Sequence, residues 1–263
     1  MGCRVNQGRG EQVTFYPADD SNWFDATAKD GLSGNETSGT DLSLPRCAAD
    51  RNLSDMLAYG FELCAETMRS GGKRRFDILM SLVLLLLSAP ILLGAMLAIW
   101  LSSLGSEPVI YRQTRIGLNG RLITILKLRT MCSDAERNGP RMALRNDPRV
   151  TRLGCFLRKS RIDELPQLIN VLRGDMSLIG PRPERPEFAD LYKREIEGYA
   201  WRYRVKPGIT GLAQVQAGYA ESLQEAAVKF YYDIDYIRNG SLRTDLAILL
   251  KTVWVVFTGR GAR

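Results

Sequence analysis

The chain has 263 residues, 45% of them apolar, and carries a formal net charge of +7. This length allows one large domain or two small ones with a buried core, and the positive charge favours anionic partners: nucleic acid, a phospholipid surface or phosphorylated substrates. The sequence contains no histidine, which excludes Ser-His and Cys-His nucleophile pairs and histidine-ligated metals. Its five cysteines are scattered and lack C-x-x-C spacing. They argue for a reducing compartment and against a disulfide framework or a zinc site.

Residues 1–72 are predicted to form a polar, largely disordered tail. The run 30–41 is rich in turn-forming residues and has no periodicity that would bury one face. The tail lacks the basic and apolar regions of a secretory signal. Within it, residues 54–68 are compatible with a short helix capped by Ser54. A mobile tail is the default interpretation, and a partner-binding arm is the alternative.

Residues 73–106 are predicted to form a re-entrant membrane helix. The segment 78–106 contains no charged residue and is long enough to span a bilayer, but Pro90 divides it into halves too short to cross alone. Basic residues flank the segment on both sides, which favours a cytoplasmic location for both ends. We therefore expect the helix to break between Ser88 and Pro90, with Ser88 satisfying a freed backbone group. A kinked spanning helix and a buried core helix are the alternatives.

Residues 108–129 are predicted to form a β-hairpin. Two β-rich runs flank Leu118-Asn119-Gly120, and Asn-Gly is a strong hairpin signal. The basic side chains of this hairpin are expected to face water or lipid headgroups. Residues 139–148 are predicted to be a loop.

The stretch 154–183 combines a basic cluster, an Asp-Glu pair, a short apolar helix and a Pro-Arg-Pro turn. Because proline is tolerated only in the first turn of a helix, Pro166 places the N-cap near Asp163, with Glu164 in the first turn. The helix body is predicted over 167–172, ending at Gly174. Its expected apolar stripe consists of Leu165, Leu168, Ile169 and Leu172.

The Asp163-Glu164 pair has two interpretations. Acidic residues at a helix start are ordinary capping residues that complement the helix dipole. However, Arg158, Lys159 and Arg161 lie nearby, and cations, free N–H groups and two carboxylates together suit a phosphate and Mg²⁺ site. A carboxylate nucleophile would also be ionised at neutral pH without a general base.

Three further helices are predicted after this stretch, at 187–199, at 222–238 with Ser222 as its cap, and at 242–257. The aromatic residues of the first two are expected in the core rather than as a base-stacking platform. The region 207–218 is interpreted as glycine-rich turns. The last helix is amphipathic and is expected either in the membrane interface plane or docked on the core.

The following motifs occur one after another along the chain: Gln113-Thr114-Arg115-Ile116-Gly117, Lys127-Leu128-Arg129-Thr130-Met131, Arg158-Lys159 with Asp163-Glu164-Leu165-Pro166-Gln167, Gly174 to Pro183, Val205 to Gly211, and Asp233-Ile234-Asp235-Tyr236. In this order they resemble the motifs of the bacterial sugar transferases, the monotopic polyprenyl-phosphate phosphoglycosyl transferases that start exopolysaccharide assembly. The resemblance covers about residues 73–263 and is to the short form of the family. Members of the family often have Ser-Pro at the membrane helix break, whereas this chain has Ser88-Ala89-Pro90.

The resemblance implies a two-step transfer of a phosphosugar from a UDP-sugar to undecaprenyl phosphate. Asp163 would be the nucleophile that forms an aspartyl intermediate and releases UMP, and Glu164 would hold Mg²⁺ as cofactor. Lys127, Arg158 and Arg182 would bind substrate phosphates. Asp233 matches a further family position, for which no firm role is implied.

The overall prediction is an α+β protein, mostly helical with a small β-hairpin, that is monotopic in the membrane and carries interfacial amphipathic helices. Its parts are the tail 1–72, the membrane helix 73–106 and a catalytic domain 107–263 on the cytoplasmic face of the bacterial inner membrane. Expected partners are UDP-sugar, polyprenyl phosphate and membrane lipid, but not nucleic acid; a homo-oligomer and downstream glycosyltransferases are further candidates. A basic membrane-tethered binding protein and a structural adaptor are the non-enzymatic alternatives.

Overall fold

The computed structural model describes residues 71–137, 139–141, 147–217 and 223–258. The predicted helix at 54–68 and its cap Ser54, the cap Ser222 and nearly all of the predicted tail lie outside these residues. The described part is mostly helical and contains two small two-stranded sheets. Helices α1 to α7 and strands β1 to β4 are numbered along the chain.

Helix α1 runs from Gly71 to Ser102 and is uninterrupted at Pro90. The predicted break at this position is therefore wrong as secondary structure, because the chain continues helically on both sides of the proline. The hydroxyl of Ser88 donates to the carbonyl of Leu85 at 3.5 Å, one turn before the proline. Among the described helices, α1 is long and apolar enough to cross a membrane, judged by length and composition.

Both halves of α1 contact the same globular body. Phe76, Met80, Leu84 and Leu85 of its first half pack against the central core. Its second half contributes Leu92, Ala95, Met96 and Ile99 to a cluster with Leu128 and Leu157. The opposite side of the helix exposes large apolar side chains along its length, among them Leu79, Leu86, Leu93 and Trp100. Such a continuous apolar surface is unusual for a helix that faces water.

Strands β1 (Ile110–Ile116) and β2 (Leu122–Leu128) form the predicted hairpin, paired antiparallel from Ile110 opposite Leu128 to Ile116 opposite Leu122. Asn119 and Gly120 have φ angles of 54° and 76°. These left-handed conformations suit Asn and Gly, which explains why this dipeptide marks the turn.

The helix predicted from Asp163 to Gly174 begins later than expected, and a further helix precedes it. Helix α2 (Arg152–Lys159) is followed by a 3₁₀ turn (Ile162–Glu164) and then by helix α3 (Gln167–Arg173). Asp163 is therefore not an N-cap; Pro166 occupies that position. Helix α3 ends at Gly174 as predicted, with φ of 92°. Its buried residues are Gln167, Leu168, Asn170 and Val171, so only Leu168 of the predicted stripe is fully buried.

A second sheet, which the sequence analysis missed, joins β3 (Ser177–Ile179) in parallel to β4 (Gly208–Thr210). Glycines permit this pairing, because a Cβ added at Gly208 would lie 2.2 Å from the backbone nitrogen of Gly180. A Cβ at Gly211 would lie 2.2 Å from the carbonyl oxygen of Gly180. The region interpreted as glycine-rich turns therefore holds a strand against the segment that precedes the Pro-Arg-Pro turn.

Four further α-helices and a 3₁₀ helix complete the described part of the chain. They are α4 (Pro186–Glu195), a 3₁₀ helix (Tyr199–Arg204), α5 (Leu212–Gln216), α6 (Leu223–Asn239) and α7 (Leu242–Phe257). Tyr192, Tyr199 and Phe230 pack in one buried cluster, as predicted for core aromatics. Helix α7 has the predicted bounds; its Asp245 and Ile248 face the core, while Leu246, Leu250 and Trp254 are among its exposed residues.

Candidate active site

Asp163 and Glu164 lie on the 3₁₀ turn between α2 and α3. Arg161, which precedes this turn, has a φ of 60°, a left-handed conformation that is costly for a residue with a Cβ. Such strain persists only where the surrounding structure enforces it. Here it allows the chain to reverse after α2 and to present both carboxylates to one pocket.

Glu164 is held by two cations from different parts of the chain. Its Oε1 accepts from Lys127 Nζ at 3.0 Å and from Arg182 Nη2 at 2.5 Å. Burial alone would raise the pKa of the Glu164 carboxyl, but Arg182 and Lys127 outweigh burial and hold this pKa well below its usual range. Glu164 is therefore ionised at neutral pH.

Asp163 has the opposite electrostatic balance. Its side chain is buried, and burial, followed by the adjacent charge of Glu164, raises the pKa of Asp163 to about 6. Lys127, Arg158 and Arg182 act against this rise. The carboxyl is still mostly ionised at pH 7, as predicted, but it is less stabilised than that of its neighbour. A poorly solvated carboxylate surrounded by cations is suited to attack an electrophile such as a phosphorus atom.

Arg158 reaches the site from the last turn of α2. Thr151 caps this helix by accepting from the backbone N–H of Gly154 at 2.9 Å. A Cβ on Gly154 would lie 2.0 Å from the carbonyl oxygen of Thr130, so this glycine allows α2 to pack directly on the chain that follows β2. Arg158 Nε then donates to Thr130 Oγ1 at 2.9 Å, which fixes the guanidinium beside the pocket.

Lys127 is positioned by hydrogen bonds between helix α3 and the backbone of strand β2. The side-chain oxygen of Asn170 accepts from the backbone N–H of Leu126 at 3.0 Å, and its amide donates to the carbonyl of Thr124 at 2.8 Å. Asn170 is fully buried and therefore acts as a bridge between the helix and the strand. Burial lowers the pKa of the Lys127 ammonium, against the influence of Glu164.

Arg182 extends from the Pro181-Arg182-Pro183 turn that follows β3. The flanking prolines restrict the backbone, and the carbonyl of Pro183 accepts from Arg115 Nη1 at 3.1 Å. Burial, followed by the nearby charge of Arg182, lowers the pKa of Arg115 to about 10, at which it remains cationic at neutral pH.

An open pocket of about 400 Å³ connects these residues. Six of the predicted site residues line it: Lys127, Arg158, Asp163, Glu164, Arg182 and Asp233. The structure therefore brings together residues that span more than one hundred positions of the sequence. Ser88 and Pro90, which were predicted for the membrane helix and not for the chemistry, do not line the pocket.

Sequence reasoning missed several charged residues of the pocket wall. Arg202 lies on the 3₁₀ helix between α4 and β4 and forms an ion pair with Asp233 of α6, at 2.7 Å. Burial raises the pKa of Asp233 to about 6, and Arg202 opposes this rise. Lys229, one turn before Asp233, also lines the pocket. The spacing between Lys229 and Asp233 would have indicated a shared helix face.

The residues of the site fit a magnesium ion that takes some of its ligands from the protein and the others from substrate and water. In the described part of the chain, no three Cys, Asp or Glu side chains gather into a cation cage. Mg²⁺ commonly uses one or two carboxylates together with waters and substrate phosphates, and the adjacent Asp163 and Glu164 supply two. Lys127 and Arg182 both form ion pairs with Glu164, so a magnesium ion would have to share the Glu164 carboxylate with these two cations.

Comparison with known proteins identifies the family of the chain. Residues 68–259 match the sequence model of the bacterial sugar transferases. The chain belongs to this family. The family assignment made from the motifs is thereby confirmed, and the motif residues listed above fall within the matched region.

Curated relatives of this bacterial sugar transferase act on undecaprenyl phosphate. A UDP-glucose:undecaprenyl-phosphate glucose-1-phosphate transferase from Caulobacter vibrioides is 44% identical over 82% of this chain and 88% of its own length. A UDP-N-acetylgalactosamine-undecaprenyl-phosphate N-acetylgalactosaminephosphotransferase from Aeromonas hydrophila is 47% identical over 73% of this chain. An Escherichia coli glucose-1-phosphate transferase is 43% identical over 72% of it. The matches span only 45% and 41% of the Aeromonas and E. coli proteins.

Proposed function

We propose that this protein is a phosphoglycosyl transferase that moves a hexose 1-phosphate from a UDP-sugar to undecaprenyl phosphate, as the first step of exopolysaccharide synthesis. The observation that carries this proposal is the position of Asp163, buried in a pocket whose walls bring Lys127, Arg158 and Arg182 around it. Relatives that transfer glucose 1-phosphate or N-acetylgalactosamine phosphate support the substrate class.

In the first step, an oxygen of Asp163 attacks the phosphorus that carries the sugar. A bond forms between the carboxylate oxygen and phosphorus, the bond from phosphorus to the bridging oxygen breaks, and UMP leaves with that oxygen and its electron pair. Lys127, Arg158 and Arg182 neutralise charge on the phosphate oxygens. Since phosphoryl transfer depends on positioning and charge stabilisation, this set of residues needs no proton-transfer partner for the nucleophile.

In the second step, a phosphate oxygen of undecaprenyl phosphate attacks the aspartyl-bound phosphorus. The new phosphorus–oxygen bond completes the diphosphate, and the Asp163 carboxylate is released unchanged. Glu164 would hold Mg²⁺, which when bound would supply charge neutralisation at phosphate oxygens. Lys127 and Arg182 orient Glu164 for this role through their hydrogen bonds to it.

We further propose that α1 enters and leaves the membrane on one face. A straight spanning helix would carry its second half away from a globular body on the cytoplasmic side, yet both halves of α1 contact that body. Exposed apolar residues on α1 and α7, such as Leu86 and Leu250, supply a surface for the acyl region. The proline supports a bend without an interruption of the helix.

The activity is tested with the full chain extracted in detergent. Purified protein is incubated with Mg²⁺, undecaprenyl phosphate and UDP-glucose, UDP-galactose or an N-acetylated UDP-hexose, and UMP is measured. We expect UMP with at least one sugar, its loss in Asp163→Asn, and its retention in Asp190→Asn, a surface carboxylate on α4. The absence of UMP with every sugar would refute the proposal.

The topology is tested by cysteine labelling in intact spheroplasts. Single cysteines placed before residue 73 and after residue 108 should both be protected from an impermeant reagent until the membrane is opened. Labelling of one end only, from outside the cell, would contradict re-entry.

A further inference from the structure

Arg202 is a buried cation that contacts two other segments of the chain and a tyrosine of its own 3₁₀ helix. Its Nη1 donates to Glu184 Oε1 at 3.2 Å and to the hydroxyl of Tyr199. Its Nη2 donates to the backbone carbonyl of Arg182 at 2.9 Å and pairs with Asp233 Oδ2 at 2.7 Å. Since Arg202 is 5% exposed and Asp233 is 2% exposed, this pair carries a large desolvation cost that apolar residues would avoid.

One of these contacts leads directly to the candidate active site. The Arg182 carbonyl that accepts from Arg202 lies within the Pro181-Arg182-Pro183 turn, whose backbone is stiffened by its two prolines. A displacement of this backbone is therefore passed to the Arg182 side chain. Nη2 of that side chain donates to Glu164 Oε1 at 2.5 Å, and Glu164 is the neighbour of Asp163. Asp233, Arg202, Arg182 and Glu164 thus form a continuous series of contacts.

The planar guanidinium of Arg202 suits this role. It offers donors in fixed directions and can bond several acceptors at once, whereas a lysine would present a single flexible ammonium. Asp233 neutralises Arg202, so that a second cation close to Arg182 does not repel it. Glu184, which follows the Pro-Arg-Pro turn, adds a second anionic contact from the same segment.

We propose that Arg202 and Asp233 are a positioning pair for the Pro-Arg-Pro turn. Asp233 orients the guanidinium of Arg202, and Arg202 holds the backbone of Arg182 so that its side chain reaches Glu164 and the substrate phosphates. Neither residue touches the reacting atoms. This role rests on the proposed function, and it assigns a physical purpose to Asp233.

A double-mutant cycle in the full-length protein tests the coupling. UMP release is measured for wild type, Asp233→Asn, Arg182→Ala and the double variant. We expect Asp233→Asn alone to lower kcat by roughly 10- to 100-fold, as removal of a supporting contact often does. In the Arg182→Ala background the same change should cost less than about threefold, because the residue that it positions is absent. Equal factors in both backgrounds would overturn the proposal.

Two further variants separate positioning from general destabilisation. Arg202→Lys should reproduce the Asp233→Asn loss, and its thermal midpoint is measured alongside. Arg204→Lys is the matched control, since Arg204 lies on the same 3₁₀ helix, is exposed and stacks on Trp201. It should keep wild-type kcat.

If the wild-type protein releases no UMP, a measurement independent of activity still tests whether Asp233 positions the Pro-Arg-Pro turn. Hydrogen exchange is followed by mass spectrometry on peptides that cover residues 178–187. In Asp233→Asn we expect exchange in this segment to accelerate at least about fivefold, while peptides of α1 and β2 keep their wild-type rates. Unchanged exchange at 178–187 would show that Asp233 does not hold the turn, whatever the reaction of the protein.

Discussion

Arg182 Nη2 lies 2.5 Å from Glu164 Oε1, although eighteen residues separate the two along the chain. This contact links the Pro-Arg-Pro turn to the 3₁₀ turn that carries the candidate nucleophile. It also explains why Glu164 stays ionised although its side chain is only 11% exposed. Arg182, which we propose to bind the substrate phosphates, is therefore also the residue that orients the candidate metal ligand.

Loss of this contact should damage the reaction more than the fold. We expect Arg182→Ala to lower kcat by about 10²- to 10³-fold, the usual effect of deleting one donor to developing charge. UMP release measures the effect, and Arg194→Ala on α4 is the control because Arg194 is exposed. A loss below threefold in Arg182→Ala would contradict the assigned role.

The N-terminal end of α1 is held by a second buried ion pair. Lys73 Nζ lies 2.7 Å from Asp245 Oδ2, and Asp245 Oδ1 accepts from the Tyr236 hydroxyl at 2.6 Å. Removing one partner leaves a buried charge, so Asp245→Ala should cost about 3–5 kcal/mol. The thermal midpoint in detergent should fall by roughly 10 °C.

A double variant distinguishes that charge penalty from lost packing. Lys73→Met combined with Asp245→Leu removes both charges and should recover more than half of the loss in thermal midpoint. If the double variant is less stable than Asp245→Ala, the ion pair itself contributes the stability. The uncompensated charge of Lys73 would then not be the cause of the loss in Asp245→Ala.

The close approach of β3 and β4 makes a prediction about glycine. Gly208→Ala would place a Cβ 2.2 Å from the backbone nitrogen of Gly180, where neither backbone can yield without separating the strands. We expect a destabilisation of more than about 2 kcal/mol, seen as a lower thermal midpoint, and a loss of UMP release. Gly94→Ala is the control, because nothing lies within 4 Å of its added Cβ.

Part of this arrangement could be predicted from the sequence. The hairpin turn at Asn119-Gly120, the helix end at Gly174 and the bounds of α7 follow local rules, and the structure confirms them. Motif order also identified six residues that line one pocket. These features depend on short-range chemistry or on a recognisable family pattern.

Other features depend on contacts that no local pattern encodes. Strands β3 and β4 have three residues each, too few to show a period, and Gly208 of β4 resembles a turn signal. The 3₁₀ turn before Pro166 is set by the strained Arg161 and by packing on β2, not by capping. The Arg202–Asp233 pair joins residues on separate elements, so only the fold reveals it.

We expect Lys229 to give substrate binding a pH dependence. Burial is the main cause that lowers the pKa of Lys229 to about 8; Glu184 opposes it and Arg182 adds to it. The ammonium is therefore charged at pH 7 and loses its charge as the pH rises through 8. Because UDP-sugar is anionic, we expect its KM to rise between pH 7 and pH 9. Lys229→Gln should have a higher KM at pH 7 and a smaller rise; an identical profile in the variant would contradict this role.

The proposed reaction requires a covalent bond between the sugar phosphate and Asp163. Full-length protein is incubated with its UDP-sugar and Mg²⁺ without lipid acceptor, and its intact mass is measured. We predict a mass increase equal to one sugar phosphate less one water, located on Asp163 by peptide sequencing, lost on addition of undecaprenyl phosphate and absent in Asp163→Asn. UMP release without any adduct, or an adduct on another residue, would contradict the account.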